Sequence, residues 1–265
     1  MKRKMIGSQN QIAHYDLQGH VGRLFFATDV HGEFSKLHFA LRDVGFSPSH
    51  GDLLFLGGDL VDRGPESKDV LDWLYEPWVH SICGNHEALH IEAFRNLYDY
   101  RTCHSAATLG QHGGLWAFDM ARSDQQKYID MFKSMPLAME LQTDFGIVGI
   151  IHAEVPYANW ESWKNATKTE FENHCVADAQ WARRKYRAKN SAVVEGIDVV
   201  LVGHTPTDSY KPEVLGNVVY SDCGAVWGND FQLVEINKEL IEGVKHARER
   251  NQEAGETRVS RSKRL

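Results

Sequence analysis

Residues 53–65 read LLFLGGDLVDRGP. Four apolar residues run into a glycine pair, and Asp59, Asp62 and Arg63 follow at once. An apolar run without strict alternation reads as a strand buried on both faces. The same punctuation recurs along the chain. RLFFAT (23–28) leads into Asp29 and His31, and WVHSICG (78–84) into Asn85 and His86. GIVGII (146–151) leads into His152, and VVLVG (199–203) into His204. NVVYSD (217–222) is a further strand, and FQLVEI (231–236) closes the folded region in this reading.

Helical patterns lie between the runs. Phe34, Leu37, Leu41 and Val44 are spaced for one helix face over 34–46. PESKDVLDWLY (65–75) opens on proline with early acids, as a helix entry does. Residues 86–98 and 123–135 also fit helices. Strands alternating with helices around one core give an α/β fold class. The expected organisation is a single catalytic domain over 1–238, followed by a charged, disordered tail over 239–265 that is poor in apolar residues.

The bulk numbers narrow the classes. A 265-residue chain with 42% hydrophobic content supports one substantial core. A net charge of −7 gives no broad nucleic-acid-binding surface. The N-terminus is basic but lacks a signal-peptide apolar stretch, and no run reaches the ~18 apolar residues of a membrane span. Cys83, Cys103, Cys175 and Cys223 are scattered without a C-x-x-C pair, which reads as reduced thiols. The expectation is a cytoplasmic monomer with no nucleic-acid or membrane partner.

Five strand ends thus carry Asp, Asn or His. In open α/β sheets ligands bind beyond the carboxyl ends of strands, so these groups converge if the strands are neighbours. Close carboxylates repel one another, and divalent cations remove that cost. A carboxylate, imidazole and amide set suits Mn, Fe or Zn, and the lack of cysteine argues against a closed structural zinc site. Any one such residue alone is better read as a helix cap or a hydrogen-bonded structural group. The remaining histidines, His90 and His112 among them, take that structural reading. Gly32, Gly58, Gly84 and Gly203 beside these ends permit tight turns or close backbone approach.

DVHG (29–32), GDLVDRG (58–64), GNHE (84–87), His152 and GHTP (203–206) resemble, in order and spacing, the signature of the PPP-type metallophosphoesterases, in the branch that includes bacteriophage lambda protein phosphatase and its bacterial relatives. The likeness spans about residues 22–236 and takes in LGQHGGLW (109–116), QWARRKYR (180–187) and SDCGAVWGN (221–229). It implies a β-sandwich of two mixed sheets flanked by helices. It also implies two divalent ions, Mn by default with Fe or Zn as alternatives. Asp29 and His31 would hold the first, Asp59 would bridge, and Asn85, His152 and His204 would complete the second. His86 would be the catalytic acid positioned by Asp62, with Arg63 and Arg183 on the phosphoryl oxygens. The implied reaction is phosphomonoester hydrolysis by a hydroxide shared between the ions. The substrate would be a phosphorylated protein or peptide, on Ser/Thr with Tyr or His also open. A symmetrical dinucleoside tetraphosphate hydrolase is the alternative; there the aspartate of VDRG is usually replaced and GNHD is commoner. The first motif departs in carrying Thr28 where the family usually has glycine, and a β-branched residue changes the local turn requirement.

Overall fold

The computed structural model describes residues 12–94, 104–169 and 173–249. Ten strands form two mixed sheets among these residues. The smaller sheet contains β2 (Leu24–Ala27), β3 (Leu53–Leu56), β4 (Val79–Ser81) and β10 (Val234–Glu235), in the order β10-β2-β3-β4. Its β2, β3 and β4 run parallel. The larger contains β1 (Ile12–Asp16), β5 (Ala138–Thr143), β6 (Gly146–Ile151), β7 (Val199–Val202), β8 (Glu213–Leu215) and β9 (Val218–Tyr220), in the order β1-β5-β6-β7-β9-β8. Within it β6, β7 and β9 run parallel.

The two sheets pack face to face. Phe26, Phe55 and Ile82 from one meet Met139, Leu141, Val148, Ile150, Val199, Leu201 and Val219 from the other. Burying each such side chain is worth about 1.5–3 kcal/mol. Strand period decides what goes where: Phe26 faces the partner sheet, while its neighbours Phe25 and Ala27 face helices. Those helices are α1 (Phe34–Asp43), α2 (Val70–Tyr75), α3 (Asn85–Ala93) and α5 (Arg122–Ser134), with α4 (His104–Gln111) beside α3. On the far face of the larger sheet, Trp160 and Trp163 of α6 (Trp160–Thr169) and Ala179 of α7 (Asn173–Trp181) cover Ile151, Val200 and Val202. A single turn, α8 (Arg184–Arg187), follows. The result is an α/β sandwich of two mixed sheets with helices on both sides, as the resemblance implied.

Some boundaries differ from the sequence reading. The helix read over 65–75 is a 3-10 turn over Ser67–Asp69 that continues as α2 from Val70. The backbone before it is used differently: Glu66 N–H donates to the Gly32 carbonyl, and the Ser67 hydroxyl accepts from Asp62 N–H. The helix read over 86–98 is present as Asn85–Ala93, and its residues 95–98 lie outside the described ones. The fold also does not close at residue 236. Residues 238–249 are helical, and Ile241 and Val244 are buried in the inter-sheet core, so the tail assigned to 239–265 starts no earlier than 250. Two buried residues three apart, in a twelve-residue stretch of which six are charged, give too narrow a stripe for composition to reveal. Cys83 and Cys223 are buried, whereas the side chains of Cys103 and Cys175 lie outside the described residues. No described helix is long and apolar enough to cross a membrane.

Candidate metal and phosphoryl site

The parallel strands β2, β3, β4, β6 and β7 deliver their following residues to one edge of the sandwich, and the backbone there is unusual. Asp29, His31, Asp59, Asp62, Arg63 and His204 all have positive φ, between 47° and 75°. Only Lys189 and Tyr210 share that property among the other described non-glycine residues. Such a conformation costs of order 1–3 kcal/mol per residue and persists only where surroundings over-determine it. Here the motifs hydrogen-bond to each other. Asp29 N–H donates to the Gly58 carbonyl, and His31 N–H to that of Asp59. Glu87 supplies the largest share. Its fully buried carboxylate accepts from Asp59 N–H (2.9 Å), Leu60 N–H (2.7 Å) and Gly84 N–H (2.8 Å). At Gly84 a Cβ would sit 2.3 Å from Asp59 Oδ1, so the third motif reaches the second only through glycine.

Glu87→Ala is therefore expected to leave three buried donors unpaired, at about 1–3 kcal/mol each. Denaturant unfolding of the metal-free protein should show several kcal/mol of lost stability. A loss under about 1 kcal/mol would mean that water replaces the carboxylate and that the strained loop is held by something else.

Three histidines are each held at one ring nitrogen by a backbone carbonyl. His31 Nδ1 lies 2.9 Å from the Val61 carbonyl, His152 Nδ1 2.7 Å from that of Gly57, and His204 Nε2 3.1 Å from that of Trp181. A carbonyl only accepts, so each of these nitrogens carries the proton and the other offers its lone pair to the site. Burial, reinforced by a neighbouring His86, lowers His31 to about 3, and burial with a neighbouring His152 lowers His204 to about 2. Both therefore stay unprotonated at neutral pH. His31 Nε2 is 3.7 Å from Asp59 Oδ2 and 3.9 Å from Asp29 Oδ1. His152 Nε2 is 3.3 Å from Asp59 Oδ1 and 3.2 Å from His204 Nδ1. Asp29 is aimed by the other end of its carboxylate, where Oδ2 accepts from the Thr28 hydroxyl (2.6 Å) and from His204 N–H (2.8 Å). This settles the departure at Thr28: its hydroxyl holds Asp29, and Gly203 makes room, since a Cβ there would meet Thr28 Oγ1 at 2.0 Å.

The donor set fits divalent cations. His31, Asp59 and His86 bring ligand atoms within 4.8 Å of one another, as do Asp59, His152 and His204, with Asp59 common to both groups. The Asn85 amide oxygen sits 2.9 Å from His152 Nε2, 2.8 Å from His204 Nδ1 and 3.2 Å from Asp59 Oδ2. Asp59 Oδ2 and His204 Nδ1 are acceptors crowding that oxygen, and His152 Nε2 donates to it only when protonated; a cation or a reversed Asn85 amide relieves the crowding. The charge balance favours the cation. Burial raises the Asp29 carboxyl, with Asp59 adding to it, and burial together with Asp29 raises Asp222 well above the usual range. Burial opposes a charge on His152, yet Asp59 and Asp29 still lift it to about 9. Without a metal, protons supply the positive charge these carboxylates demand.

Outside this cluster, Arg63 lays its guanidinium over the site. One amino group donates to His31 Nε2 (2.7 Å) and the other to His86 Nε2 (3.0 Å). His86 differs from the three histidines above because its Nδ1 faces a carboxylate, Asp62 Oδ2, at 2.7 Å. Burial works against charging His86, but Asp59 and Asp62 outweigh it and raise its pKa. Arg183 is half-buried and senses the Asp29 and Asp222 charges, so it stands at the rim of the same site. The sequence reading passed over several groups here. Asp222 follows β9, a sixth strand end with the same punctuation, although NVVYSD reads as one continuous run. Glu87 was noted only as a motif letter. His90 and Trp116 also contact Asp62, and no local pattern ties them to it.

Known proteins match this architecture. The calcineurin-like phosphoesterase family profile covers residues 22–229. The chain is 32% identical to serine/threonine-protein phosphatase 2 of Escherichia coli K12 over 212 residues, 78% of this chain and 89% of that one. It is 31% identical to a symmetrical bis(5'-nucleosyl)-tetraphosphatase of Shewanella loihica over 134 residues, 50% of this chain and 44% of that one. A crystal structure described as a putative diadenosine tetraphosphatase superposes with a TM-score of 0.56 at 19% identity, covering 85% of this chain and 97% of that one, which bears on the fold alone. On the family match and the length of the phosphatase alignment, the chain belongs to the calcineurin-like metallophosphoesterases, a family of metal-dependent hydrolases.

Proposed function

We propose that this enzyme hydrolyses phosphomonoesters on serine or threonine side chains of proteins. Asp29 and His31 would hold one divalent cation and Asn85, His152 and His204 a second. Asp59, with Oδ2 3.7 Å from His31 and Oδ1 3.3 Å from His152, would serve both. When bound, such ions act as Lewis acids and bring the pKa of water toward neutrality.

The chain's own residues do the rest. Arg63 and Arg183 bind the phosphoryl oxygens, where charge builds in the transition state. Arg63 can do so only by releasing the lone pairs of His31 and His86 that it now covers. His86 keeps Nδ1–H on Asp62, so the proton it delivers to the leaving oxygen comes from Nε2. His86 itself belongs to one of the two ligand groups. Its pairing with a buried carboxylate rather than a backbone carbonyl favours the proton-donor role.

The Asp62–His86 pair carries the choice of substrate. A serine alkoxide is a poor leaving group and needs a proton, whereas a nucleoside phosphate leaving from an anhydride does not. The longer alignment with a relative named as a serine/threonine phosphatase supports the same reading. With Mn²⁺ added, kcat/KM for a phosphoserine peptide should exceed that for diadenosine tetraphosphate by at least about tenfold, a barrier difference of ~1.4 kcal/mol. A faster dinucleotide would replace this reading with the tetraphosphatase one.

A further inference from the structure

Asp62 is fully buried and accepts three side-chain hydrogen bonds, of which the reading above uses one. Oδ2 takes the bond from His86 Nδ1. Oδ1 takes two more, from His90 Nε2 at 2.7 Å and from the Trp116 indole N–H at 2.8 Å. His90 lies one turn along α3 from His86 and is itself 1% exposed. Its ring packs on Trp116 (5.2 Å), Phe94 (6.2 Å) and Phe132 (5.7 Å), and Trp116 packs in turn on Tyr128 (5.4 Å). Asp62 also has a left-handed backbone, with φ of 75°, and its N–H is held by Ser67.

We propose that His90 and Trp116 are positioning residues for His86: by occupying Oδ1 of Asp62 they leave Oδ2 as the one acceptor for His86 Nδ1–H and so fix which imidazole nitrogen faces the phosphoester. The inference rests on the reading of His86 as proton donor. A carboxylate offers about four in-plane acceptor positions, and its plane can turn about one bond. Two rigid ring donors from different elements, α3 and the segment after α4, clamp that plane. Remove either, and Oδ1 keeps a single donor, so the carboxylate plane is free to turn and the Oδ2 bond that orients His86 turns with it. The imidazole then loses its orientation while the cation ligands, which do not contact His90 or Trp116 through any of these bonds, keep theirs. Outer-shell partners of this kind typically change function by about 10–100-fold.

The test uses Mn²⁺-loaded full-length protein and two substrates: p-nitrophenyl phosphate, whose leaving group needs little protonation, and a phosphoserine peptide. Trp116→Phe keeps the ring and removes the N–H. His90→Leu removes a donor, and His90→Gln restores one. Trp116→Phe and His90→Leu are expected to lose about tenfold or more in kcat on the phosphopeptide and under about threefold on p-nitrophenyl phosphate, with metal content unchanged. His90→Gln should recover much of the loss. Adding Trp116→Phe to His86→Asn should cost less than about twofold further on the phosphopeptide, because the residue it positions is gone. Equal losses on both substrates, no loss on either, or full additivity in the double variant each overturn the inference. If His86→Asn shows the leaving-group dependence and the other variants do not, only the positioning role falls. If His86→Asn shows none, the acid assignment falls and takes the inference with it. Should His90→Leu fail to fold, Trp116→Phe decides.

Discussion

Asp59→Asn is expected to bring metal content from two ions per chain to less than one and to lower turnover by about a thousandfold or more. The substitution keeps the volume and an oxygen that can still accept from His86 N–H, the bond Asp59 Oδ1 makes at 2.9 Å. What it removes is the charge common to both ligand groups. Losing one member of a buried charge cluster costs about 3–5 kcal/mol, which as a change in binding or barrier is about 10²–10⁴-fold. The metal-free variant should stay folded but unfold at a lower temperature than the parent. Burial opposes a charge on Asp59, yet His152 and His86 hold its carboxyl well below the usual range, so the metal-free fold stabilises the carboxylate that the substitution removes. Elemental analysis after equilibration with Mn²⁺ reads the first expectation, and thermal unfolding in chelator reads the second. An undiminished two ions per chain would rule out the shared role. A collapse of the metal-free fold would show that Asp59 acts through the loop it sits in.

That separation between fold and site matters because the backbone at the site is strained and is held by polar groups rather than by the core. The strands need only bury Phe26, Phe55 and their like. The residues after them adopt positive φ, and Glu87, Ser67 and the reciprocal carbonyl bonds of neighbouring motifs keep them there. A sequence displays the first layer well. Runs such as LLFL and VVLV are apolar on both faces, so their ends, and the Asp, Asn and His that follow, were visible without coordinates. It displays the half-polar strands at one end of the larger sheet poorly. β1 reads IAHYD and β5 reads AMELQT, with polar residues at alternate positions. Glu140 of β5 is tolerated because Trp160 and Lys164 of α6 and His14 of β1 all bond to it, partners far away in the chain. The network behind Asp62 was hidden for the same reason. Trp116 is 54 residues from Asp62 and approaches it from another element, so no periodicity or spacing rule connects them. Asp222 was legible in principle, because β9 runs parallel to β7 and ends as β7 does. NVVYSD nevertheless reads as one run through the aspartate, which hides the strand end.

His86→Asn is expected to divide substrates by leaving group. The imidazole is fully buried, held at Nδ1 by Asp62 and raised in pKa by the Asp59 and Asp62 charges despite burial, so it is equipped to carry and release a proton at Nε2. Asparagine fits the space and can keep a bond to Asp62, but it has no proton to give. A general acid of this kind is worth about 10²–10⁴-fold where the leaving group is poor. Phosphoserine peptides should therefore lose about that much in kcat, while p-nitrophenyl phosphate, which departs as a stable anion, loses far less. The alternative reading of the geometry makes His86 a ligand, since its Nε2 lies 3.8 Å from Asp59 Oδ2 and groups with His31. A ligand's removal predicts something else: lower metal content and comparable losses on both substrates. Measuring the two rates beside the bound metal separates the cases, because proton donation is felt only where the leaving oxygen needs the proton, and coordination is felt everywhere.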